Sequence, residues 1–389
     1  MQDSSPTKDE AIRYHKKYCG KIEISTKAPI KDIHDLSLAY TPGVGAVAKE
    51  IAEHPEQDRA LTNKGNTIAI ITNGTAVLGL GNIGPRAAIP VMEGKSALFK
   101  EKAGVDAYPL MIDETDPQKL VSIVKALAPS FSGINLEDIA APECFEVEET
   151  LKQELDIPVF HDDQHGAAII ILAGLINALT ITQRAPETVR VVINGGGAAG
   201  LATAHLLLYF GIKNITVVDK QGILHKNTDG MNSYQKEIAE KTNPERTGTL
   251  QDALQNTDVF IGLSKGNLLT RDMVQTMSSD PIIFALANPI PEIMPEEAQK
   301  ANARIIATGR SDYPNQLNNA LVFPGLFHGL LKAPHIKTVT RKTMVQIAKS
   351  LAHLVKDLSP QNIVPSLLDT QVVPTITNAI INSHHHETP

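Results

Sequence analysis

Short apolar runs alternate along this chain with longer stretches in which apolar positions recur every three or four residues. Thr67-Ile-Ala-Ile-Ile-Thr72 is rich in β-branched residues and ends in Asn73-Gly74, which predicts a buried strand entering a turn. Residues 105–112 and 157–160 predict further short strands, with a helical pattern over 117–127 between them. Residues 166–182 predict a long helix, apolar around most of its circumference and therefore buried between layers. Beyond it, residues 189–193, 215–218, 257–263 and 281–288 predict a second series of strands, with a helix over 201–210. Strands alternating with helices imply α/β architecture, with parallel sheets covered on both faces. From residue 338 the pattern is helical, with no strand of its own to cover. The expected division is therefore a first α/β domain over 1–165, a second over 166–337, and a helical segment over 338–389 that packs back on both.

Composition narrows the function classes. A length of 389 residues suits about two domains. With 43 acidic against 36 basic residues the chain lacks the cationic surplus of a nucleic-acid binder, so no nucleic-acid partner is expected. Cys19 and Cys144 are too far apart and too few for a disulfide framework or thiolate metal cluster. The polar first 17 residues have no apolar core of a leader, and the longest apolar stretch, 167–173, is short of a membrane span. A cytoplasmic protein with no membrane partner is expected. With no Trp, seven Tyr and nine Phe, aromatic cages and base-stacking platforms are poor candidates for the main binding device. The closing His384, His385 and His386 read as part of a frayed tail, with metal binding or a tag as alternatives.

The strand at 189–193 runs through Asn194 into Gly195-Gly-Gly-Ala198-Ala199-Gly200, then a helix, then a strand closing on Asp219. This is the full context of a Gly-x-Gly-x-x-Gly dinucleotide site, so the second domain is expected to be a doubly wound Rossmann-type fold. Gly195 permits the tight turn, Gly197 the approach of the pyrophosphate, and Gly200 close packing of helix on strand. The helix N-terminus, at Ala198 and Ala199, supplies free N–H groups and positive dipole. Asp219 is placed to accept from the ribose hydroxyls and to repel a 2′-phosphate, which favours NAD over NADP; Lys220 beside it weakens that preference. Ser264 and Asn288 follow later strands and are candidates for cofactor or substrate contact, although both are also ordinary turn residues. A second match, Gly79-Leu-Gly-Asn-Ile-Gly84, is followed by Pro85 and Pro90, which argues against a long regular helix starting there. It reads as a glycine loop lining an active site, or as a plain turn.

Two acidic pairs, Glu137-Asp138 and Asp162-Asp163, each follow an apolar stretch. Carboxylates converging at neighbouring strand ends would repel one another, and a hard divalent cation, Mg²⁺ or Mn²⁺, resolves this. Helix caps and loop charges would give the same spacing. His161 and His165 flank the second pair, but all-oxygen ligation suits these cations better. Lys95 and Tyr40 become candidates for proton transfer only beside such a site.

Ser37-Leu-Ala-Tyr-Thr-Pro-Gly-Val44, Thr75-Ala-Val-Leu-Gly-Leu-Gly81, Val91-Met-Glu-Gly-Lys95, Asn135-Leu-Glu-Asp-Ile139, Phe160-His-Asp-Asp-Gln-His-Gly166, Phe284-Ala-Leu-Ala-Asn-Pro289, Gly309-Arg-Ser-Asp-Tyr-Pro-Asn315 and Asn318-Asn-Ala-Leu-Val-Phe-Pro-Gly325 resemble, in order and spacing, the short bacterial malic enzymes. The resemblance implies oxidative decarboxylation of L-malate to pyruvate and CO₂, with NAD and Mn²⁺ or Mg²⁺. It implies metal ligation by Glu137, Asp138 and Asp163, with Asp162 supporting Lys95. It implies Lys95 as the base for the malate hydroxyl and Tyr40 as the acid that protonates the enol. It also implies Asn288, Asn318 and the adjacent Asn319 on the substrate, and a homodimer. Asn82 and Gly196 depart from the more usual Asp and Ala. No counterpart of the phosphotransacetylase-like extension of longer bacterial members is present, and the length argues against the malolactic forms. Competing expectations are an oxaloacetate decarboxylase using the same metal site with little net redox, and a catalytically silent nucleotide-binding regulator.

Overall fold

The computed structural model describes residues 6–243 and 245–383, so the three tail histidines lie outside the described residues. Four parallel strands, β1 (Thr67–Thr72), β2 (Asp106–Met111), β3 (Ile134–Leu136) and β4 (Val159–His161), form one sheet in the order β2-β1-β3-β4. Six more form a second sheet: β5 (Arg190–Asn194), β6 (Asn214–Asp219), β7 (Gly222–Ile223), β8 (Val259–Gly262), β9 (Ile282–Ala285) and β10 (Ile305–Thr308), in the order β10-β9-β8-β5-β6-β7. All its pairings are parallel except the short β7 against β6. The strand order reverses between β5 and its neighbours β6 and β8. A crevice therefore opens beyond the carboxyl ends of β5 and β8, where doubly wound sheets bind ligands.

Register places the first sheet's chemistry. Leu136 pairs with Ile71 on one side and with His161 on the other, so the residues that follow β3 and β4 leave the sheet side by side. Glu137-Asp138 and Asp162-Asp163 are those residues.

The helix Asp162–Thr182 joins the two sheets. Its length and apolarity would suit a membrane span, but two-thirds of its most apolar stretch is buried inside the fold, against the helices Ala198–Phe210 and Arg341–Leu354. It begins four residues earlier than its apolar pattern suggests. His161 caps it by accepting the Gln164 N–H, and the two aspartates fill the first turn, where the helix dipole favours negative charge. Asn177 is the polar exception within it, donating to the Ala352 and Ile363 carbonyls and so fastening the C-terminal segment onto the core.

One expectation fails. The helix Pro85–Ala103 runs for 19 residues from the second glycine loop, with Pro85 in its first turn and Pro90 inside it. Pro85 stands where no helical acceptor exists for an N–H, so proline costs nothing there. Pro90 forfeits one helical hydrogen bond. The helix is held by a buried face that recurs at Ala88, Met92, Lys95, Ser96 and Phe99.

The N-terminal arm contrasts with this packing. Its helices Lys8–Tyr18, Ile33–Ala39 and Gly43–Glu53 bury no residue, and Ile24 is 87% exposed.

Candidate active site

Lys95 is the one charged residue on the buried face of its helix, and 7% of it is exposed. Its ammonium lies 2.7 Å from Glu137 Oε1 and donates also to Asp162 Oδ2. The Phe323 ring centroid lies 4.0 Å away on another side. Asp162 is fully buried, and its Oδ2 accepts from Asn319 Nδ2 at 2.8 Å. Glu137 Oε2 accepts from Asn135 Nδ2 at 2.9 Å. Asp138 takes a left-handed backbone conformation (φ 53°), unusual for a residue with a side chain, and its N–H donates to Asp163 Oδ2 at 2.7 Å. Glu137, Asp138 and Asp163 each offer an oxygen, and these oxygens all lie within 4.8 Å of one another.

Four carboxylates share this space with one ammonium, and the titration behaviour follows. Burial raises the Asp162 carboxyl to about 7, although Lys95 pulls it back. Burial likewise raises Glu137, Asp138 and Asp163, and their repulsion of one another adds to it. Burial alone would lower Lys95, but Asp162, Glu137 and Asp163 hold it above its ordinary value. Asp138 Oδ2 and Asp162 Oδ1 are buried with no hydrogen-bond partner among the described residues. Hard oxygen donors in surplus over the available cations, two with unused lone pairs, fit a divalent ion of the Mg²⁺ or Mn²⁺ type.

A stability prediction follows. Carboxyls raised in the fold keep protons that the unfolded chain has released, so the contribution of Glu137, Asp138 and Asp163 to stability falls as pH rises from about 4 through about 9. Protons and Mn²⁺ compete for the same oxygens. Scanning calorimetry should therefore find the gain in melting temperature on adding Mn²⁺ larger near pH 8 than near pH 5. An equal or smaller gain at the higher pH would contradict this charge arrangement.

The dinucleotide loop has the expected form. Gly195 (φ +135°) presses against Leu263, where an added Cβ would lie 2.5 Å from the Leu263 carbonyl oxygen, and a Cβ on Gly200 would lie 1.8 Å from the Gly195 oxygen. Gly197 faces open space and caps the helix Ala198–Phe210, whose first residues are Ala198 and Ala199. Asp219 ends β6, and Gln235 Nε2 donates both to its Oδ2 and to the Gly196 carbonyl, each at 3.0 Å. A Cβ on Gly196 would meet that amide at 2.9 Å and the Asp219 Cβ at 3.1 Å, so alanine there would ask the Gln235 side chain to move. Ser264 Oγ accepts from Asn194 at 2.8 Å.

The two halves meet at the glycine loop 79–84. A Cβ on Gly79 would lie 1.6 Å from the Asn288 carbonyl oxygen, so glycine there lets the first sheet's loop rest on the turn after β9. Asn318 caps the short turn that follows it by accepting the Ala320 N–H, and its amide lies 3.5 Å from the Gly309 oxygen; its neighbour Asn319 reaches the cluster instead. The structure does not bring Tyr40 into the cluster. It is 68% exposed on the N-terminal arm, with no hydrogen-bond partner for its hydroxyl among the described residues. His165 turns away from the cluster toward Glu148. The residues that sequence reasoning passed over are Asn135, Glu148 and Glu292. Glu292 is fully buried and accepts from the Ser264 and Ala287 N–H groups, tying together the ends of β8 and β9. Asn135 stood within a recognised motif; the two glutamates carried no local signal.

A glycine loop of the dinucleotide type and a buried lysine gripped by carboxylates, in one chain, are a layout that suits a dehydrogenase. Comparison with known proteins makes this particular. The family description "Malic enzyme, N-terminal domain" matches residues 19–152, and "Malic enzyme, NAD binding domain" matches 164–383. The chain belongs to the malic enzyme family, and is thereby a decarboxylating oxidoreductase acting on malate. It is 48% identical to the bifunctional malic/malolactic enzyme of Bacillus subtilis over 96% of this chain and 92% of that one. It is 50% identical to the NAD-dependent malic enzyme of Geobacillus stearothermophilus over 94% of this chain and 76% of that one. The crystal structure of the NAD-dependent malic enzyme of Thermotoga maritima superposes with a TM-score of 0.92 at 46% identity, covering 95% and 98% of the two chains. NADP-dependent malic enzymes of other bacteria match as well. The Bacillus relative corrects one expectation: chain length does not set this sequence apart from a protein with malolactic activity.

Proposed function

We propose that this chain converts L-malate to pyruvate and CO₂ with NAD as the preferred acceptor and Mn²⁺ or Mg²⁺ held by Glu137, Asp138 and Asp163, as a cytoplasmic homodimer. The observation that carries the reading is Lys95 buried between Glu137 and Asp162 at the edge of the metal nest. Asp162, Glu137 and Asp163 hold Lys95 protonated; with Glu137 and Asp163 neutralised by the ion they would hold, that pull falls, and Lys95 as the free amine would take the proton of the malate hydroxyl as hydride leaves for the nicotinamide. Asp162, itself pinned by Asn319, holds the lysine in place and stabilises it once protonated. The divalent ion would polarise the hydroxyl and carboxylate oxygens and so ease both proton loss and loss of CO₂. Asn288, Asn318 and Asn319 would bind the substrate carboxylates. Gly195, Gly197, Ala198, Ala199 and Gly200 receive the pyrophosphate, and Ser264 and Asn288 lie toward the nicotinamide. Tyr40 lies outside this chain's own cluster, so as the acid that returns a proton to carbon it would act on the cluster of a second copy. Its exposed place on an arm whose apolar residues lack a covering surface supports the homodimer, because a second copy supplies that surface.

The test follows reduced nicotinamide, pyruvate and lactate from L-malate with Mn²⁺ and either cofactor. Pyruvate equimolar with NADH is expected, with kcat/KM higher for NAD than for NADP. Asp219→Ser should move that ratio toward NADP by roughly tenfold, on the order of 1.4 kcal/mol. Rapid oxaloacetate loss without reduced cofactor would instead return the decarboxylase reading, which family membership with a complete NAD-binding domain does not favour. Lactate as the product would place the chain with the malolactic activity named for its Bacillus relative.

A further inference from the structure

One buried carboxylate has no part in the chemistry derived above. Glu148 lies on the buried face of the helix Glu143–Glu154 and is 4% exposed. Its Oε1 accepts from the His161 N–H at 3.0 Å and lies 2.7 Å from the Lys152 ammonium. Its Oε2 accepts from Gln164 Nε2 at 3.1 Å and pairs with His165 Nε2 at 2.9 Å. Three of these four partners bracket Asp162 and Asp163 on both sides. The two aspartates meanwhile engage Lys95 and the Asp138 N–H.

We infer that Glu148 is a positioning residue for the metal site, clamping the turn from β4 into the helix Asp162–Thr182 so that Asp163 and Asp162 are presented to the cluster. The first turn of a helix has no intrahelical acceptors for its N–H groups and tends to fray. Two adjacent aspartates there repel each other, and this pushes the turn open. An ionised carboxylate gripping residues 161, 164 and 165 opposes that opening with bonds strengthened by its charge. Residues that orient metal ligands in this way typically contribute about 10–100-fold to metal affinity.

The inference rests on the metal reading given above, and the experiment separates the two. Full-length Glu148→Ala and Glu148→Gln variants are titrated with Mn²⁺ by electron paramagnetic resonance, and NADH binding is followed by nicotinamide fluorescence. In Glu148→Ala the Mn²⁺ dissociation constant is expected to rise about 10–100-fold. NADH affinity should hold, and turnover should recover as Mn²⁺ is raised. Glu148→Gln conserves volume and an acceptor for the His161 N–H, so it should lose less; it also carries the test if the alanine variant does not fold. Unchanged Mn²⁺ affinity in Glu148→Gln and in any folded Glu148→Ala, or a joint loss of Mn²⁺ and NADH binding in Glu148→Gln, overturns the inference. Failure of the unsubstituted chain to bind Mn²⁺ overturns the metal reading beneath it.

Discussion

Lys95→Met should lower kcat by about 10²–10⁴-fold, the usual contribution of a positioned acid or base, while NAD and Mn²⁺ still bind. Methionine has nearly the volume of the lysine stem and keeps the contact with the Phe323 ring, so the helix Pro85–Ala103 retains its buried face. What it removes is one positive charge and, with it, the amine that Lys95 becomes on losing its proton. That charge now offsets Glu137 and Asp162, so its loss leaves the nest more negative and Mn²⁺ binding should not weaken. Single-turnover kinetics with NAD, beside Mn²⁺ titrations, measure both quantities. Turnover within a few-fold of the unsubstituted chain would remove Lys95 from the chemistry; lost Mn²⁺ binding would make it structural.

Asp163→Ala should have the largest effect on metal binding, more than the ~100-fold upper range for a supporting residue. It deletes one of the three oxygens proposed to hold the ion and also the acceptor that holds Asp138 in its left-handed conformation. Asp163→Asn separates the two contributions, because the amide oxygen can still accept the Asp138 N–H while the charge is gone. Without metal, the Asn variant should melt no lower than the unsubstituted chain, since it relieves repulsion among buried carboxyls. Isothermal titration with Mn²⁺ and melting curves in EDTA check both. Metal affinity equal to the unsubstituted chain would remove Asp163 from the ligand set.

The sheets were legible because their strands are short, apolar and bounded by turn residues. β1 falls on residues 67–72 as the β-branched run predicts. β10 and the two-residue β7 were not anticipated; both are short and owe their place to neighbouring strands. The first turn of the helix Asp162–Thr182 was hidden because two aspartates, a glutamine and a histidine read as loop, whereas capping and dipole make them a helix start. Pro85 and Pro90 misled through a local rule that tertiary burial outweighed. At the site, motif order brought out Lys95 and the acidic pairs, but not which asparagine serves Asp162. Asn318 and Asn319 are alike in sequence, and only the turn geometry sends the second toward the cluster. Glu148 sits among five glutamates of one helix, and nothing local separates a gripped carboxylate from a solvated one.

The helix Asp162–Thr182 acts as a rigid lever between the two halves. Its 21 residues span roughly 30 Å, so a tilt of about 5° shifts one end by roughly 2.6 Å relative to the other. Its first turn carries Asp163, one of the three grouped carboxylates, and Asp162, which grips Lys95; its length packs against the helix Ala198–Phe210 that starts at the glycine loop. Closure of the crevice over a bound substrate therefore has to hinge ahead of residue 162 or swing the carboxylates along with the cofactor. One backbone strut ties the position of Asp162 and Asp163 to that of the glycine-loop helix.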